Sequence, residues 1–308
     1  MNIYQGIENF LAINFAIVTS GTFDGVHKGH QKILSGLKES CLKHNGESVL
    51  ITFHPHPRQI LKKDDDLKLL STLDEKIKLL TQFEVDHLLI IPFTNAFSEL
   101  SSEEFIEEIL IKTINTKKLV IGYDHRFGKN REGSFEYLKD HSHNYGFEIE
   151  EIPAQEIDDI AVSSTKIRNA LLEGDIELAN DYLGHQYSLE GTVVKGKQIG
   201  RTIGYPTANI EIKEKYKLIP ADGVYIVEVE YKNETYGGML SIGNNPTLNG
   251  TQTTIEVNIF NFNKEIYNEG LTVRFVKYMR GQIKYSNLEG LIAQLKNDEI
   301  EAKAFYFR

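Results

Sequence analysis

Residues 21–30 read Gly-Thr-Phe-Asp-Gly-Val-His-Lys-Gly-His. His27 and His30 stand three residues apart, a spacing that puts both on one side of a first helical turn. Two imidazoles that each donate a hydrogen bond suit the phosphoryl oxygens of a polyphosphate. Gly21 and Gly25 let the backbone approach such a ligand closely. The bland alternative is a glycine-rich turn carrying two surface histidines.

The flanking residues say which elements would hold this stretch. Phe15 to Val18 is a short apolar run, expected to be a buried strand. Ile33, Leu34, Leu37, Cys41 and Leu42 follow at helical spacing, with Gly46 placed to end the helix. The stretch therefore opens an α/β unit, on a strand–loop–helix junction. Ligands of open α/β sheets bind outside the carboxyl ends of the strands. The following helix also points free N–H groups and a partial positive charge into the loop.

More strands are expected at 48–53, 88–91, 119–121 and 148–152. Helices alternate with them, two announced by capping boxes at Thr72/Glu75 and Ser101/Glu104. This alternation implies a parallel, doubly wound sheet. His54-Pro-His-Pro57 follows the second strand, where its prolines predict a stiff extended loop. Its histidines could face the same ligand, or the segment could be a plain strand-ending turn. A metal site there lacks an evident third ligand. Lys62 to Asp66 reads as a solvated loop.

The fourth strand runs into Gly122 to Gly133, which holds Asp124, His125, Arg126, Gly128, Lys129 and Arg131. Cations in such a loop would offset phosphate charge, Arg in bidentate fashion. An ordinary surface loop is the alternative. Ser163, Ser164 and Thr165 precede a helical segment that carries Arg168. They read as N-caps and, with Arg168, as an anion site.

Gly184 to Tyr187 marks the expected domain boundary, beyond which the apolar period changes from about 3.6 to about 2. Six strand-like runs lie at 189–194, 207–212, 223–231, 235–242, 253–260 and 271–277. With Gly and Pro turns between them they predict a small, closed or nearly closed antiparallel barrel. A terminal helix is expected over 287–306, with Leu288, Leu291, Ile292 and Leu295 on one face. Gly196, Gly200 and Gly204 form a flexible loop of the phosphate-cradling kind, which also carries Arg201. Thr207 and Asn209 alternate on the strand that leaves it, so both face one side. Their hydroxyl and amide oxygens are hard ligands suited to Mg²⁺. Glu256 alternates with buried-type residues in Thr-Ile-Glu-Val-Asn, a pattern shared by any half-buried strand. All ten histidines lie between His27 and His185, so a proton acceptor in the C-terminal domain must be of another type.

Composition sets the outer bounds. A chain of 308 residues favours two domains, and its 41% hydrophobic and 25% charged content is that of a globular protein. A net charge of −10 argues against nonspecific nucleic-acid binding. One cysteine excludes an internal disulfide and a cysteine-based zinc site, and Cys41 reads as core. No signal-peptide pattern and no membrane-length apolar run is visible, so the cytoplasm is expected.

His27 to His30 resembles the His-x-Gly-His signature of nucleotidyltransferases, and Gly-x-Phe-Asp-Gly-Val-His, like Ser-Ser-Thr-x-Ile-Arg at 163–168, most resembles the bacterial bifunctional riboflavin kinase/FAD synthetase family. The Phe-x-Pro-x-Pro pattern at 53–57, Gly122 to Gly128, and Gly200 to Asn209 with its Pro-Thr-Ala-Asn are similar to that family too. Two positions depart from it: Thr22 where Asn is usual, and His125 where Phe is usual. The resemblance implies an α/β plus β protein. Residues 1–185 would form a Rossmann-like nucleotidyltransferase domain that adenylylates FMN, and 186–308 a riboflavin kinase barrel. It implies ATP, riboflavin and FMN as substrates, FAD as product, Mg²⁺ as cofactor, and neither nucleic acid nor membrane as partner. A homo-oligomer is left open. Glu256, His27 and His30 would be catalytic. Gly21, Thr22, Phe23, Asp24, Gly25, His54, Asp124, Arg126, Gly128, Ser163, Ser164, Thr165, Arg168, Gly196, Gly200, Arg201, Gly204 and Arg280 would bind ATP or flavin phosphates. Thr207 and Asn209 would hold the metal. A flavokinase fused to a nucleotidyltransferase of other specificity, or a flavin-binding regulator with one dead site, are the alternatives.

Overall fold

The computed structural model describes every residue except 62–66, 123–124, 153–161, 197, 248–249 and 307–308. The charge run Lys62 to Asp66 and the expected site residue Asp124 lie outside the described residues. Packing divides the chain into two compact units, Met1–Ser164 and Thr165–Arg308. This division falls earlier in the chain than the 185/186 boundary expected from the change in period.

The first unit is built on six parallel strands: β1 (Asn2–Gln5), β2 (Ala16–Ser20), β3 (Glu47–His54), β4 (His87–Pro92), β5 (Thr116–Gly122) and β6 (Glu148–Ile152). Their order across the sheet is β1-β4-β3-β2-β5-β6. Order reverses between β2 and β5, the switch point where ligands of this architecture sit. The edge strand β1 carries no apolar run and was not expected from the sequence. Alternate residues feed two cores. Val18, Val49, Ile51, Leu89 and Ile121 pack on one face, and Ile17, Leu50, Leu88, Ile90 and Val120 on the other.

Helix α1 (Lys28–His44) buries Leu34, Leu37 and Cys41, while Leu42 is 77% exposed. Asn45 rather than Gly46 takes the left-handed position that ends it, at φ 52°. The short α2 (Pro57–Leu61) begins at the last residue of the expected extended loop, while residues 54–56 are non-helical. Pro57 stands at its first position, where a missing N–H costs nothing. Helix α3 (Leu73–Gln82) has the full Thr72/Glu75 capping box. After α4 (Asn95–Ser98), α5 (Ser102–Glu104) starts at the Ser101/Glu104 box and passes into a π-helical segment, Phe105–Thr113. There Ile114 N donates to Ile109 O, a bond over five residues. Helix α6 (Phe135–Tyr145) completes this unit before the junction helix α7 (Ser164–Glu173).

In the second unit α7 and α8 (Ile176–Leu183) precede the barrel. Asn180 binds it directly: Nδ2 donates to Phe275 O at 2.9 Å, and Oδ1 accepts from Tyr187 N at 2.7 Å. The barrel strands are β7 (Ser188–Val194), β8 (Ala208–Glu211), β9 (Gly223–Tyr231), β10 (Glu234–Thr247), β11 (Gly250–Ile259) and β12 (Gly270–Arg280). They close in the order β10-β11-β8-β7-β12-β9, every pair antiparallel. The small α9 (Ile199–Thr202) lies between β7 and β8. The terminal α10 (Leu288–Tyr306) docks through Ala302, Leu295 and Tyr306, while Leu288 is 53% exposed. Its contact face is thus set later in the helix than the leucine spacing implied. No helix among the described residues is long and apolar enough to cross a membrane.

Candidate active sites

Gly21 to His30 occupies the carboxyl end of β2, at the switch point. The loop is tightly wound: Phe23 has φ 47°, Gly25 φ 77° and Val26 φ 42°. Positive φ at a phenylalanine and a β-branched valine is strained backbone that its surroundings must hold. Asp24 is buried, and its Oδ1 accepts N–H bonds from Leu70 at 2.9 Å and Ser71 at 3.2 Å. Gly25 N donates to Ser71 Oγ at 3.1 Å. Asp24 thereby ties the loop to the residues that precede α3.

His27 caps α1, its Nδ1 accepting the His30 N–H at 3.3 Å. A neutral His27 with Nδ1 used as acceptor carries its proton on Nε2. The His27 and His30 rings stack with centroids 3.7 Å apart, and Phe23 lies 4.9 Å from His30 on the tilt. Burial, then His27, then Lys76 hold the pKa of His30 well below the ordinary value. Its Nδ1 is buried without a hydrogen-bond partner. His54, at the end of β3, is also pushed down, by burial and then Lys76, against an opposing Asp74. His56 is buried and accepts the Arg58 N–H on Nδ1, a local role at the start of α2. Among the described residues no group of three or more His, Cys, Asp or Glu could hold a metal.

Across the switch point, His125 Nε2 lies 3.2 Å from Ser20 Oγ. Burial, then Arg131 and Arg126, lower its pKa to about 4. Arg126 faces Glu136 at 3.6 Å, and Lys129 pairs with Glu99 at 2.7 Å. Gly128 has a packing reason: a Cβ there would lie 2.5 Å from Ser102 Oγ. Ser164 opens α7, and its Oγ donates to Asp24 O at 3.4 Å, which brings that hydroxyl to the His27 loop. Ser163 and Thr165 are exposed beside it, and Arg168 lies one turn along the helix.

The barrel has a polar cluster of its own. Glu256 on β11 pairs in register with Asn209 on β8. Thr207 Oγ1 donates to Glu256 Oε2 at 3.2 Å. The Thr207 proton is thus given to Glu256, and its oxygen lone pairs remain for a cation. Ile255 and Val257 are buried, so the alternation read from the sequence does turn Glu256 to the other side. The glycine loop lies against this cluster: a Cβ on Gly196 would meet Asn209 Nδ2 at 2.3 Å, and one on Gly200 would meet Tyr205 O at 2.2 Å. Gly204 has φ 85°, and Arg201 on α9 is exposed. Arg280 at the end of β12 is engaged elsewhere. Its Nε donates to Asp298 Oδ1 at 3.0 Å, and a second bond reaches Asp298 Oδ2 at 2.5 Å. That bidentate pair fastens the barrel to α10.

Sequence reasoning missed Lys76. Its helix was legible from the capping box, but a lysine one turn past a cap carries no signal that its ammonium is buried.

Comparison with known proteins assigns each site a context. The FAD synthetase family pattern matches residues 12–166, and the riboflavin kinase pattern matches 183–306. A bifunctional riboflavin kinase/FMN adenylyltransferase of Buchnera aphidicola is 39% identical over 312 residues, covering 100% of this chain and 99% of the relative. One from Listeria monocytogenes is 38% identical over 94% of this chain and 92% of its own. That of Escherichia coli K12 is 34% identical over 99% and 98%. A crystal structure described as a macrolide-efflux protein from Streptococcus pneumoniae superposes with a TM-score of 0.89 at 33% identity, covering 98% of this chain and 99% of that one.

Proposed function

The chain belongs to the family of bifunctional riboflavin kinase/FMN adenylyltransferases, and from that premise we propose how its residues divide the two reactions. It is an enzyme that phosphorylates riboflavin to FMN and adenylylates FMN to FAD, with ATP as donor in both steps. The first unit carries the adenylyl transfer and the barrel carries the kinase. The observation that supports this division is that each unit has its own polar site, one around His27 and His30 and one around Thr207 and Glu256.

In the barrel, Glu256 accepts the proton of the ribityl 5′-hydroxyl as that oxygen attacks the γ-phosphorus of ATP. The ATP β–γ bridging bond breaks, giving FMN and ADP. Gly196, Gly200 and Gly204 lay the loop against the phosphates, with Arg201 at its exposed end. The Thr207 hydroxyl and Asn209 amide oxygen fit Mg²⁺, which neutralises phosphate charge when bound. In the first unit an FMN phosphate oxygen attacks the α-phosphorus of a second ATP and pyrophosphate leaves. No strong base is needed, because the nucleophile is already an anion. His27, His30 and Ser164 would stabilise the charge that develops on the phosphoryl oxygens. Gly21, Thr22, Phe23, Gly25, His54 and Arg126 would line the ATP path, with Asp24 acting through the loop it anchors. We place the enzyme in the cytoplasm, with small molecules as its partners.

The direct test gives the purified chain riboflavin with MgATP or MgCTP and resolves flavins by chromatography. FMN and then FAD should form with MgATP, and no cytidine dinucleotide with MgCTP. FMN accumulating without FAD would remove the second activity.

The units should also separate. Residues 165–308 should make FMN and no FAD. A fragment of 186–308 should melt at lower temperature, because it loses the Asn180 bonds and the Ala221 N to Leu171 O bond of 3.0 Å. FAD made by the longer fragment would overturn the division of labour.

A further inference from the structure

Lys76 is 7% exposed, although it stands on a helix with ample solvent-facing surface. Its Nζ donates to the Thr22 carbonyl at 2.6 Å and lies 3.4 Å from Thr52 Oγ1. Thr52 is itself fully buried and donates to the same Thr22 carbonyl at 3.3 Å. Both partners of the ammonium are uncharged oxygens. A buried lysine held this way is expensive, and its place is directly beneath the His27/His30 loop.

We propose that Lys76 is a positioning residue of the adenylyltransferase site, whose ammonium clamps the Thr22 carbonyl inward and supplies the fixed positive charge behind the phosphate-binding loop. The proposal rests on assigning that loop to FMN adenylylation. A trans peptide points its C=O and N–H in opposite directions, so drawing Thr22 O inward turns the Phe23 N–H outward as a donor. The clamp adjoins Phe23 and Val26, the two strained residues of the loop. Such strain persists where neighbouring bonds over-determine the backbone. Three connections do so here: Lys76 to residue 22, Leu70 and Ser71 to Asp24, and Ser71 to Gly25. Because the first uses only the carbonyl of residue 22, it does not depend on whether Thr or Asn stands there.

The titratable groups coupled to Lys76 come from three elements: Asp24 from the loop, His30 from α1 and His54 from β3. Burial lowers its pKa to about 8, with Asp24 opposing. Lys76 in turn depresses His30 and His54. At neutral pH the imidazoles are therefore uncharged N–H donors, and the lysine carries the charge. As pH rises through about 8 the ammonium loses its proton, and the site loses a charge and the charge-assisted strength of its loop anchor.

The test measures FMN-to-FAD conversion by the full chain from about pH 6 to about pH 9.5, with riboflavin phosphorylation followed in parallel. The parent should lose adenylylation with a midpoint near pH 8, while the kinase does not share that limb. Lys76→Met should lower kcat for adenylylation at neutral pH by about 10²-fold and abolish the limb. Thr52→Val removes one acceptor of the ammonium and should move the limb to lower pH. A parent profile without the limb overturns the proposal even if Lys76→Met does not fold. So does a Lys76→Met chain with parental kcat and profile alongside an inactive His30→Ala. If His30→Ala is also fully active, the assignment of the loop itself fails.

Discussion

His30→Ala should slow FMN-to-FAD conversion by about 10²–10³-fold, the cost of removing one preorganised donor to a developing charge. Riboflavin phosphorylation should be unchanged. The stacked pair explains the size of the effect. His27 spends Nδ1 on the His30 N–H, so its remaining N–H is fixed on Nε2. The His30 ring lies 3.7 Å from it and leaves a buried Nδ1 without a protein partner. An unpaired buried polar atom is costly, which fits a site whose partner arrives with substrate. Supplying FMN directly, with MgATP, isolates this step from the kinase.

The pH dependence has a definite sign. His30 is held well below its ordinary pKa, so between pH 6 and 7.5 it stays neutral. Its donation to phosphate then needs no protonation, and activity should not decline across that range on its account. A parental rate in His30→Ala would leave the leading motif a turn with two histidines.

How much of this was legible depended on whether the signal was local. Some barrel strands showed by alternation, as Ile255, Glu256 and Val257 do, whereas β9 showed as an apolar run, with Gly223 to Val227 all buried. Both capping boxes formed as their spacing implied. Periodicity failed where contact faces are set by tertiary packing: Leu42 and Leu288 keep helical spacing yet stand exposed. The π-helical stretch buries Phe105, Ile106, Ile109 and Leu110 as expected, but apolar spacing does not distinguish it from α-helix. The site itself was half visible. Its histidines stand three residues apart in sequence, whereas Leu70, Ser71 and Lys76 meet Asp24 and Thr22 across a fold that no local pattern encodes. Arg280 came from the resemblance alone, and its pair with Asp298 on α10 has no local signal in the sequence.

Glu256→Gln should slow FMN formation by about 10²–10⁴-fold, the range of general-base assistance, while supplied FMN is still converted to FAD. Gln keeps an oxygen to accept the Thr207 hydroxyl, whose present bond to Oε2 is 3.2 Å, so the cluster should keep its shape. It cannot take a proton at neutral pH. Ile255 and Val257 on the opposite face remain packed in the barrel, so the fold should survive. Register supports the choice of this carboxylate: Glu256 stands directly opposite Asn209, two residues beyond Thr207 on the strand that leaves the glycine loop. A base there would stand beside the loop proposed to hold the phosphates. Removing proton acceptance should leave ground-state binding largely intact, so quenching of flavin fluorescence should report near-parental riboflavin affinity. That split between binding and turnover distinguishes a base from a residue that merely shapes the pocket. A Glu256→Gln chain that binds riboflavin and MgATP normally and makes FMN at the parent rate would return Glu256 to the role of a strand residue beside Thr207 and Asn209.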